Sequence, residues 1–165
     1  MFFNEVLHND PFTCIMWHPT YPLRGETMPE PLYFLYPWMH LVGRIFFSMI
    51  FVASGIGHIV QLEATSAYVH SKGIPAPKAV AALSGVLILA GGVLILIGWT
   101  RFIGAGLLFF FLVPTAFLMH PFWKETDPMA RQNEMAHFMK DLGLAGAALL
   151  IAYYAGGWWP MSLGG

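Results

Sequence analysis

The sequence predicts an all-α membrane protein: an antiparallel four-helix bundle preceded by an extended N-terminal segment. Three observations carry that expectation. Four apolar runs, Leu41–Val60, Ala79–Gly98, Phe102–Met119 and Leu142–Trp159, are each about 18–20 residues long, the length an α-helix needs to cross a bilayer's hydrocarbon core. The second and third runs contain no charged residue. The whole chain is 57% hydrophobic and only 10% charged, where a soluble domain carries about a quarter charged residues.

The same composition excludes several functions. A net charge of −1 provides no basic field for nucleic acid. The single cysteine, Cys14, rules out an internal disulfide and a four-cysteine iron–sulfur site. No nucleotide-binding glycine loop, nucleophile triad or cysteine pair is present. The first apolar run starts too late for a secretory signal, so the first span itself is the expected inserting signal.

Two units follow from the patterning: residues 1–37, extended and rich in proline and aromatics, and residues 38–165, the four-helix membrane domain. The stretch Asp10–Pro37 holds six prolines, at 11, 19, 22, 29, 31 and 37, which break any long helix. Phe12, Trp17, Tyr21, Tyr33, Phe34, Tyr36 and Trp38 are interleaved with them, more aromatic content than a disordered tail carries. This segment is expected to lie on the membrane surface or to dock onto partner membrane subunits.

In the first span, Arg44 is expected to snorkel toward the headgroups. Lys72–Pro77 forms the turn into the second span, and Gly98–Arg101 is a tight connection to the third. Pro114 should kink the third helix, and His120-Pro121-Phe122-Trp123 ends it. Asp127–Lys140 is polar, but Met129, Met135, Phe138 and Met139 are spaced for one helical face, so the fourth helix begins before lipid does. Small residues mark expected helix contacts at Ala53/Gly57, at Ala81/Gly85 and at Gly143, Gly146 and Ala147.

Four antiparallel spans place both termini on one side, the near side. His58, His70, His120 and His137 then share the far side with Glu63, Asp127, Glu134 and Asp141, while His40, Arg44 and Arg101 face the near side among Trp38, Trp99, Trp158 and Trp159. The far side carries more Lys and Arg, which assigns it to the cytoplasm. Ionisable groups at membrane depth are functional candidates by default, and neutral imidazole ligates metals or relays protons near pH 7. His58, His120 and His137 are therefore the candidate catalytic residues, and these three with Trp123 the candidate cofactor contacts. A quinone, or a pigment or haem held together with partner subunits, is the candidate cofactor. No metal site is expected: Glu134-Met135-Ala136-His137 is a Glu-x-x-His pattern, but di-iron bundles need it twice with two further glutamates.

From Arg44 onward the chain resembles the DoxX family of small four-helix membrane proteins. The matching passages, in order, are Arg44-Ile45-Phe46-Phe47 with Gly55 and His58; Lys72-Gly73-Ile74-Pro75; Ala90-Gly91-Gly92-Val93-Leu94 with Gly98-Trp99-Thr100-Arg101; and His120-Pro121-Phe122-Trp123 with Gln132, His137–Leu142 and Ala145-Gly146. The resemblance implies a multi-pass protein of a prokaryotic inner (cytoplasmic) membrane with a link to redox physiology. The family takes its name from a subunit of a thiosulfate:quinone oxidoreductase. Many relatives carry a glutamate inside the second helix, where this chain has Ile88 and Leu89.

Two functions follow. The first is an accessory, non-catalytic integral membrane subunit of a larger electron-transfer complex, respiratory or photosynthetic, with no activity expected of the chain alone. The alternative is a quinone-linked oxidoreductase subunit acting on a sulfur compound, with the far-side histidines carrying protons.

Overall fold

The computed structural model describes residues 34–164. After a short 3-10 turn at Phe34 and Leu35, five α-helices follow: α1 (Tyr36–Val60), α2 (Leu62–Ser71), α3 (Pro77–Ile97), α4 (Arg101–Met119) and α5 (Pro128–Tyr153). Four of them, α1, α3, α4 and α5, are long and apolar enough to cross a membrane. The expectations for residues 1–33, Cys14 included, lie outside the described residues.

Prolines open three of the four spans, Pro37 in α1, Pro77 in α3 and Pro128 in α5. Proline suits a first turn because its missing N–H would have no helical partner there. Asp127 caps α5, its carboxylate accepting from the Ala130 N–H at 2.7 Å. As expected, α5 starts well before the apolar run. It also stops earlier: the chain leaves α-helix at Tyr153, makes a 3-10 turn over Tyr154–Gly156, and turns back on itself. The predicted fourth run included Trp158 and Trp159, but Gly156 and Gly157 interrupt the helix, and Trp159 instead returns to the core, 5% exposed. The helix α4 continues through Pro114.

One element has no counterpart in the apolar-run reading. Gln61 leaves helical geometry, and α2 restarts directly after it. This short helix packs on α3 and buries Ser66 and Val69.

The spans pack in sequence order: α1 against α3, α3 against α4, and α4 against α5. Phe51, Ile88, Ile95, Leu108, Leu112, Ala145 and Ala148 form the shared core with Trp159. Close approach depends on glycines whose missing side chains leave room for a neighbour. A Cβ on Gly55 would lie 2.7 Å from the Leu89 Cβ, and one on Gly91 would lie 2.8 Å from Leu108. Gly85 fits the expected role, since its Cβ would stand 3.0 Å from that of His58. Gly57, Gly143 and Gly146 do not: nothing lies within 4 Å of a Cβ built there. Ala53, Gly143 and Gly146 are exposed on outer faces, while Ala145 and Ala148 make the α5 contact. At most 33% of any span's apolar window is buried, so most of the helical surface, including Phe46, Phe110 and Leu150, is left for lipid.

Candidate functional site

The far-side ends of the helices enclose a cavity of about 370 Å³. Its walls are mainly apolar, with Phe51, Ile88 and Leu112 at the back. Polar groups enter from two directions: His58 on α1 with Ser84 on α3, and His120 after α4 with Asp141 on α5. An apolar cleft with a few convergent polar groups is the usual form of a small-molecule site. Ile88 supplies wall and no charge.

His58 and Ser84 are joined across the α1–α3 contact, Nδ1 to Oγ at 2.9 Å. The Ser84 hydroxyl is also 2.8 Å from the Ala81 carbonyl, one turn back on its own helix, and donates to it. Gly85, beside Ser84, lets α1 come close enough for this contact.

His120 is held by α5. Its Nδ1 donates to Glu134 Oε2 at 2.7 Å, and its Nε2 faces Asp141 Oδ2 at 3.7 Å. The other Glu134 oxygen accepts from Lys72 Nζ at 2.9 Å, and Lys140 Nζ lies 3.4 Å from Asp141 Oδ1. The result is a chain of alternating groups, Lys72–Glu134–His120–Asp141–Lys140, at the far end of the bundle. Asp141 is buried, its side chain 6% exposed. A carboxylate at that depth costs free energy unless it is paired. Lys72 sits between α2 and α3, with its ammonium 5.4 Å from the Tyr68 ring centre. Burial works to lower its pKa, but the Glu134 hydrogen bond and neighbouring negative charge outweigh that and leave it raised.

The sequence-level candidates are thus divided. His58 and His120 both line the cavity. His137 stacks on the His120 ring, centroids 5.1 Å apart, and is not itself a wall residue. Trp123 packs into an aromatic cluster with Phe117, Phe122 and Phe138 away from the cavity. Ser84, Lys72 and the Glu134–Asp141 pair complete the polar framework. Glu134 and Asp141 were legible only as far-side acids, and Ser84 gave no signal. Among the described residues no group of three or more His, Cys, Asp or Glu is arranged to hold a metal ion.

A second polar cluster lies at the near side. Arg44 does not snorkel outward. It is 4% exposed, and its Nη2 donates to the Pro160 and Met161 carbonyls at 3.0 and 2.8 Å. Arg101 donates to the Gly157 and Gly164 carbonyls. Both guanidiniums lie against the Trp159 ring, 5.7 and 5.1 Å from its centre, and His40 meets that ring edge-on at 4.7 Å. The returning C-terminal strand of chain supplies the carbonyls that bring Arg44 inward. This cluster is a clamp, and on its Arg101 side it borders an open groove lined by Thr100, Phe102 and Gly156.

The DoxX family model matches residues 39–121, which takes in α1 to α4 with His58, Ser84 and His120 and stops before Glu134 and Asp141. The inner membrane protein YphA of Escherichia coli (strain K12) is 31% identical over 116 residues, 70% of this chain and 82% of that protein. No solved structure matches the chain. With four membrane-length apolar helices, a family match over half its length and this inner-membrane relative, the chain belongs to the DoxX family as a multi-pass inner membrane protein.

Proposed function

We propose that this protein is an integral membrane component of an electron-transfer assembly, and that its own contribution is to hold a lipophilic, hydrogen-bonding ring of the quinone class in the far-side cavity. The observation that carries this reading is the pairing of an apolar cavity at membrane depth with imidazoles from two separate elements, His58 and His120. A quinone head matches that chemistry: a flat apolar ring with polar oxygens at its ends. Its tail would leave toward the exposed apolar faces of the helices. The chain Lys72–Glu134–His120–Asp141 supports a path for protons between the cavity and far-side water, since its members alternate donors and acceptors. Assembly with partner subunits rests on the aromatic, proline-rich residues 1–37, whose rigid side chains suit an interface.

The test is ligand binding. The purified chain in lipid nanodiscs is titrated with duroquinone and duroquinol by calorimetry. Saturable binding of either form is expected, with loss in Ser54→Trp, where an indole fills the cavity from α1. Unchanged binding by Ser54→Trp would remove the cavity from consideration.

A further inference from the structure

The bonding around His58 fixes which partner the cavity can accept. A serine hydroxyl has one proton, and that of Ser84 is directed to the Ala81 carbonyl. The Ser84 oxygen therefore meets His58 Nδ1 as an acceptor, and Nδ1 carries the ring proton of the neutral imidazole. The opposite assignment, with the serine donating to Nδ1, would make one hydrogen bond where this one makes two. In the neutral ring only one nitrogen is protonated, so Nε2 is left with a lone pair. It has no protein partner among the described residues, and the residue lines the cavity.

On the second polar wall one group, Asp141, has the same sense. The Asp141 carboxylate lines the cavity and only accepts. Lys140, the ammonium beside it on the same wall, lies 3.4 Å from its Oδ1. Ser54, Thr65, Tyr68 and Thr115 also line the space, but a rotating hydroxyl serves either role and does not discriminate.

We infer that the cavity selects a ring bearing hydroxyl groups, a quinol or phenol, over the corresponding quinone, with His58 Nε2 accepting from one hydroxyl and Ser84 as the positioning residue that sets the tautomer. This rests on the ligand reading above and adds the redox form. A quinone offers only acceptor oxygens, and placing one against a lone pair leaves both unpaired in a poorly hydrated site. Selection by a tautomer requires no movement of the protein. The serine that enforces it lies on the neighbouring helix, at the cavity wall.

The experiment compares duroquinol, duroquinone and duroquinol dimethyl ether under anaerobic conditions in nanodiscs, with wild type, Ser84→Ala and Ser84→Thr. The wild type should bind the quinol about tenfold more tightly than the quinone or the ether, the scale of one hydrogen bond made against one left unmade. In Ser84→Ala the tautomer is released, and the quinol-to-quinone ratio should fall toward one. Ser84→Thr keeps a hydroxyl and should restore the ratio. The ¹⁵N resonances of His58 should show a protonated Nδ1 in wild type and Ser84→Thr, and a mixture in Ser84→Ala. A quinone that binds as well as the quinol to the wild type, or a ratio untouched by Ser84→Ala, overturns the inference while the quinone-class reading stands. Binding of none of the three probes overturns both.

Discussion

At the residue scale the molecule is organised by a few polar side chains that the bilayer forces to find partners. Lys72 and Glu134 are 62 positions apart and form a half-buried pair at 2.9 Å. The folded pKa of Lys72 is raised above the ordinary lysine value of 10.5. A raised lysine stabilises the fold below that value, and the contribution disappears as pH climbs through the higher folded one. Lys72→Met should therefore lower thermal stability at neutral pH by about 1–3 kcal/mol, since Glu134 loses a charged donor. It should also remove the part of the alkaline instability that begins above pH 10.5; melting curves from pH 7 to 11.5 read both. An unchanged alkaline slope would show that the pair does not hold α5 to the α2–α3 turn. Such pairings explain what the sequence could not reveal. That His120 and His137 would share one end of the bundle was readable, because both lie between the third and fourth apolar runs. That Lys72 would reach Glu134, or Ser84 reach His58, depends on helix packing between residues 62 and 26 apart, and no local pattern encodes it.

At the element scale the four spans were legible because length and apolarity together define a crossing helix. The errors came where chemistry changes within an apolar stretch. Gly156 and Gly157 lie in a run still rich in Trp and Tyr, so hydropathy alone extended the last helix past its end at Tyr153. The helix α2 has only ten residues and mixed polarity, below the reach of a span criterion. Small residues marked contacts only when the register happened to face a neighbour: Gly55, not Gly57, receives α3. The difference is testable. Gly55→Ala sets a methyl 2.7–2.9 Å from Leu89 side-chain and backbone atoms, so α1 and α3 must part, and a loss of about 1–3 kcal/mol is expected. Gly57→Ala, with nothing within 4 Å, should be neutral or gain up to about 1 kcal/mol from helix propensity. Equal melting temperatures for the two variants would contradict the packing. Gly98 is special for another reason. It has φ +71, and a Cβ there would strike Ser162 and the Arg44 guanidinium, so the α3–α4 connection tolerates only glycine.

At the scale of the whole molecule, a sequential row of helices leaves wide apolar flanks, and the far and near ends have different tasks. One end forms a cavity; the other gathers two arginines around Trp159. Family membership and membrane location follow from features spread along the chain, which is why they could be read early. Partner identity has no such spread signal, since the apolar helix faces serve lipid equally well. The subunit reading makes a definite prediction there. Removing residues 2–33 should leave α1–α5 inserted and thermally unchanged in detergent, yet abolish co-purification of other membrane subunits from native membranes. Full co-purification of the shortened chain would transfer the docking role to the helical faces.

The arginine clamp also imposes an order on biosynthesis. Arg44 enters the bilayer with the first span, but the Pro160 and Met161 carbonyls that receive it are translated only after the last span. Throughout that interval the nascent chain holds a guanidinium without those carbonyls, and only a chain extended past Met161 supplies them. Passage of the chain beyond its last span is thereby registered at the first helix. A chain ended at residue 156 keeps every span yet lacks both carbonyls. It should insert normally and then be cleared by membrane proteases several-fold faster than the full chain in a pulse-chase measurement, with Arg44→Leu restoring its lifetime.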